Sequence, residues 1–140
     1  MRRWSKFSLV LVLAACGPPP RPPVPPPPTN VSATELASVD TLAAQPLGVY
    51  VVTAYVLSTE ACPVCDGPAP CARCDPPGVP VMAERYVQGN PERAPTVLLE
   101  TLDFRAFDKD ARYRFTVRVG RRDGEHMEPV LQLLGAARVP

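Results

Sequence analysis

The chain has 140 residues, fifteen of them basic and fourteen acidic, for a formal net charge of +1, with twenty prolines and five cysteines. That length allows one modest domain and not two, and the small positive balance is no basis for a nucleic-acid binder. One histidine, with neither a Gly-x-Ser-x-Gly segment nor a glycine-rich phosphate loop, leaves little for hydrolytic or nucleotide chemistry and reads as a non-enzyme.

The chain opens with Arg2, Arg3 and Lys6, followed by an apolar run from Phe7 to Ala15 and then Cys16. A membrane-spanning helix needs about 20 apolar residues, and Gly17-Pro18-Pro19-Pro20 stops this run well short. The basic start, short apolar core and small residues before Cys16 have the form of an export signal. Trp4-Ser5-Lys6 after the arginine pair departs from a twin-arginine signal.

Leu13-Ala14-Ala15-Cys16 resembles the lipobox of bacterial lipoproteins. The resemblance implies that residues 1–15 are a signal peptide, that a diacylglyceryl group joins the Cys16 thiol, and that Cys16 becomes the first mature residue. Two or more acyl chains hold stably in a bilayer where one is marginal. The implied partner is therefore a membrane and the implied location the cell envelope. Gly17, standing where aspartate marks inner-membrane retention, favours the outer membrane. Loss of residues 1–15 removes three basic residues and no acidic one, leaving twelve against fourteen, or about −2, and it removes the only tryptophan.

Residues 16–30 form the next segment. From Gly17 to Pro28 only Arg21 and Val24 interrupt the prolines, which predicts a disordered Pro-rich tether of polyproline II character, roughly 35–40 Å long. Pro19-Pro20-Arg21-Pro22-Pro23 also has the form of a ligand for aromatic-lined grooves. Those groove domains are mainly intracellular, so the spacer reading stands.

Residues 31–140 read as a single domain. Asn30 to Ala44 carries a helical pattern: Ser32 and Glu35 have capping-box spacing, and Leu36, Val39, Leu42 and Ala43 share a face. Val49 to Leu57, rich in branched and aromatic residues, predicts a buried strand. Further strands are predicted at Val79 to Arg85, interrupted by Pro80, at Thr96 to Thr101, and at Val130 to Val139. Phe104 to Asp110 predicts a short helix or tight loop. From Arg112 to Val119 the alternation is cleanest, with Tyr113, Phe115, Val117 and Val119 facing one way and Arg112, Arg114, Thr116 and Arg118 the other.

One helix and five strands in this order resemble small OB-fold-like lipoproteins over about residues 34 to 139. The residues that carry the likeness are Leu36 through Gly48 leading into Val51-Val52-Thr53-Ala54-Tyr55-Val56, then Arg112-Tyr113-Arg114-Phe115-Thr116-Val117, and a closing Leu133-Leu134-Gly135-Ala136-Ala137. The implied fold is mainly β: a small five-stranded OB-like barrel with one N-terminal helix. Fold alone does not fix a ligand.

After the first strand comes a Cys-rich loop, residues 62–74, holding Cys62, Cys65, Cys71 and Cys74 as two Cys-x-x-Cys pairs. In an oxidising compartment they predict two disulfides, with three connectivities open; the nested one joins Cys62 to Cys74 and Cys65 to Cys71. Four thiolates are also a tetrahedral zinc set, although oxidation competes for the same sulfurs and the spacing between knuckles is tight. Cys62-Pro63-Val64-Cys65 as a redox pair is opposed by Pro68 and Pro70, which disfavour the helix such a pair opens. Asp66 and Asp75 stand where haem attachment requires histidine. No cofactor is expected, with zinc as the minority reading.

Arg112, Arg114 and Arg118, with Arg121 and Arg122 beyond, make a cationic strip. It could meet an anionic glycan, headgroup or nucleic-acid strand, or simply pair with acids such as Glu84 or Glu100. Tyr50, Tyr55 and Tyr86 are stacking candidates but fit the core better. His126 and the Asp108/Asp110 pair read as turn residues. Two functions follow: a membrane-tethered, non-enzymatic binding or scaffolding module for an envelope protein or polymer, or a metal- or thiol-handling protein working through the cysteine cluster.

Overall fold

The computed structural model describes residues 19–59, 77–87, 95–122 and 128–140. Among them are six strands: β1 (Thr34–Glu35), β2 (Gly48–Val56), β3 (Gly78–Met82), β4 (Val97–Glu100), β5 (Arg112–Arg121) and β6 (Pro129–Arg138). The last five close in the order β2-β3-β4-β6-β5 and back to β2, with β4 and β6 parallel and the other pairs antiparallel. This is the closed, five-stranded, mainly β OB-like barrel that the resemblance implies.

Alternation builds it. Along β5, Tyr113, Phe115, Val117 and Val119 are buried, and the facing positions on β2, namely Ala54, Val52 and Tyr50, are buried with them. Phe107, in the connection from β4 to β5, enters one mouth fully buried. Its ring packs edge-on against Tyr113 at 5.2 Å and tilted against Phe115 at 5.7 Å, geometries that aromatic quadrupoles favour. Pro80 is accommodated within β3 because its carbonyl, on the β2 side, accepts from Leu57 N–H just past the end of β2, where the missing proline donor breaks no strand ladder.

The expected helix over 30–44 is much shorter. Only Val39–Ala44 is helical, as a 3-10 turn capped by Ser38, whose hydroxyl accepts from Asp40 N–H at 3.3 Å. Thr34 and Glu35 instead pair in parallel with Tyr50 and Val51, and Leu36 N–H donates to Val51 C=O. Strand pairing satisfies those backbone groups directly, so Ser32 and Glu35 form no capping box. Val39 and Leu42 are fully buried and close the mouth opposite Phe107. Phe104–Ala106 forms a second 3-10 turn, followed by Asp110 in the left-handed region at φ 61°.

The proline segment is held against the barrel. Pro25 C=O accepts from Ala136 N–H at 2.8 Å, Val24 packs against the core, and Arg21 pairs with Asp108. Gly135 faces outward beside Thr116, and a Cβ there would meet the Pro26 carbonyl carbon at 2.7 Å and Pro27 Cα at 2.8 Å. The chain therefore crosses the outer wall at Gly135, and contacts of the domain reach back to Arg21. The register of β6 against β5 shifts here, Leu133 facing Val117 but Gly135 facing Thr116, so Leu134 is the extra residue of a bulge.

Candidate functional site

The cationic strip lies on the outer face of β5, as its alternation requires. Arg114 pairs with Glu35 of β1 at 3.3 Å. Arg112 lies over the Tyr55 ring at 5.8 Å from its centre, a cation–π contact across the β2–β5 pair. Arg118 donates to the neutral Gln132 of β6 at 3.4 Å. Thr116, on the same face, is only 6% exposed, which splits the strip into an Arg112–Arg114 part and an Arg118 part. At the end of the strip Arg122 pairs with Glu100 at 3.0 Å, as expected of that acid; Glu35 is a further acid that meets the strip.

Gln132 and Glu100 also line a shallow cleft of about 560 Å³ between the end of β4 and the start of β6, with Leu102, Val130 and Leu133 among its walls. The parallel pairing of β4 and β6 is made at Glu100 and Gln132, so the two strands part next to the cleft. Leu102, 83% exposed, stands on its rim. Arg118 and Arg122 each reach the cleft through a lining residue, Arg122 paired with Glu100, and Asp103 lines it too, so the trough is part apolar with a rim of mixed charge. No family model, curated protein or solved structure matches the chain.

A second cluster gathers around Asp108. Arg21 and Arg138 both pair with its carboxylate, Arg138 at 2.7 Å, while its backbone N–H donates to Tyr113 Oη at 3.2 Å. The carboxylate thus joins the proline segment to the last residue of β6. Asp110 N–H donates to Val56 C=O, fixing the turn beside it. Both aspartates serve the turn and its neighbours, as their sequence setting predicts.

Tyr50 is core, with its hydroxyl donating to Pro46 C=O at 3.0 Å; Tyr55 lies under Arg112, and Tyr86 is exposed. Cys16, the cluster Cys62, Cys65, Cys71 and Cys74, and His126 lie outside the described residues. The cleft and the Asp108 junction are the features sequence reasoning missed. Both arise from residues far apart in the chain, and the arginine spacing alone pointed to the strip.

Proposed function

We propose that the chain is a membrane-tethered cell-envelope lipoprotein whose barrel is a non-enzymatic binding module for an envelope protein or polymer. The observation that carries the binding role is the trough between β4 and β6 with Arg118 and Arg122 on its shoulders. Leu102, Val130 and Leu133 offer a docked segment apolar contact, and the rim charges, Arg118 and Arg122 beside Glu100 and Asp103, would fix its register. Closure of the barrel gives these groups a rigid support, since each of its five strands is paired with two others. The anchor rests on the lipobox resemblance at Cys16, and the cysteine loop is read as a disulfide-held insert.

Photocrosslinking in the native envelope tests the binding role. A benzophenone side chain at Gln132 gives one dominant adduct, and Arg118→Glu with Arg122→Glu reduces it roughly tenfold, the loss of about 1.4 kcal/mol from two rim charges. Adducts spread evenly over many species, unchanged by the charge reversals, would refute the reading. Mass measurement of the Cys16 peptide tests the anchor, with acylation expected and a free thiol counting against it.

A further inference from the structure

We infer that the proline segment holds the barrel close to the bilayer in one orientation, with the Asp108 mouth toward the anionic headgroup layer. The inference rests on the proposed acylation of Cys16. A free tether would set the domain off by its full length and let it turn. Here the segment is bound to the barrel from Arg21 onward, through the Asp108 ion pair, the Val24 packing and the Pro25-to-Ala136 hydrogen bond. What remains between anchor and barrel is the stretch from Cys16 to Arg21, at most about 18 Å of chain.

Arg21 attaches at one particular place. Asp108 lies in the connection that carries Phe107 into the barrel mouth, beside the C-terminal end of β6 and the start of β5. That mouth is therefore nearest the anchor, and the 3-10 turn Val39–Ala44 at the opposite mouth is farthest from it. The charges agree with this placement. Arg21 and Arg138 together overbalance Asp108, and the exposed Arg105, Lys109 and Arg112 stand there against Asp103 and Asp110. Among the described residues this end thus has five basic side chains against three acidic ones, an excess that an anionic leaflet within about a Debye length would attract.

The experiment uses the full acylated chain, reconstituted in phosphatidylethanolamine vesicles containing phosphatidylglycerol. Benzophenone side chains are placed at Lys109 and, in a separate protein, at Ala43; both positions are exposed. Lipid adducts are expected to be roughly fivefold more abundant from position 109, as a short tether raises local concentration at one end only. Inserting about twelve Gly/Ser residues between Pro18 and Pro19 leaves the bound segment intact and should bring the two yields together. Equal yields without the insertion, or a difference that the insertion leaves unchanged, would overturn the orientation. The mass of the Cys16 peptide in the same samples separates the two failures: an acylated peptide with equal yields sinks the orientation alone, whereas an unacylated one sinks the anchor and the orientation together.

Discussion

Gly135 shows how a single missing side chain can shape the surface. Its outward Cβ position is occupied by the backbone of Pro26 and Pro27, so any side chain must push that segment away or distort β6. Gly135→Val should cost about 1–3 kcal/mol, as overpacking does, read as a lower urea midpoint with an unchanged slope. Asp110 is the converse case. It holds φ 61° with an ordinary side chain, a conformation that disfavours non-glycine residues by roughly 1–2 kcal/mol. Asp110→Gly should therefore leave thermal stability unchanged or raise it slightly, the gain being limited by glycine's greater freedom in the unfolded chain; a clear drop would mean that the carboxylate has a structural partner. Neither role is visible locally in sequence: one depends on a distant proline, and the other on a turn whose geometry the backbone fixes.

Elements were legible where local pattern and global pairing agree. The alternation of β5 and the branched run of β2 each place a known face inward, and both strands form within a residue or two of the predicted bounds. The 30–44 segment was misread because Leu36, Val39, Leu42 and Ala43 suit either an amphipathic helix or a strand followed by a tight turn. The free edge of β2 decides between them by offering Val51 C=O to Leu36 N–H. The proline run was legible as extended chain, but extended chain has the same local signature whether it lies in solvent or on a barrel. Its attachment should be measurable. Deleting residues 19–28 removes one backbone hydrogen bond, one exposed ion pair and the burial of Val24, for a combined loss of about 2 kcal/mol. Chemical denaturation of the two chains checks this, and equal midpoints would mean that the segment contributes nothing.

For the whole molecule, length and composition announced a single domain, and the strip of arginines announced one face of it. The trough beside that face could not be foreseen, because β4 and β6 meet there only through the barrel's closing order. The four clustered cysteines belong to this scale too. If they form two disulfides, the intact protein should show no titratable thiol and no bound zinc before reduction, and reduction should lower its thermal midpoint by a few degrees, as loss of about 1 kcal/mol from short loops does in a domain of this size. Stoichiometric zinc, or free thiols after isolation from the envelope, would instead favour the metal- and thiol-handling reading.

The Asp108 junction also bears on how the molecule would respond to being pulled. If Cys16 is acylated as proposed, tension on it would reach Arg21 first, and the ion pair and the Pro25 hydrogen bond would carry the load before the ladders of the barrel did. If those contacts give way, the leash lengthens from Cys16–Arg21 to Cys16–Thr34, adding roughly 40 Å at polyproline spacing, while β2 to β6 stay paired. The bound prolines would in that sense be a reserve of slack, released by load and rewound when it fell.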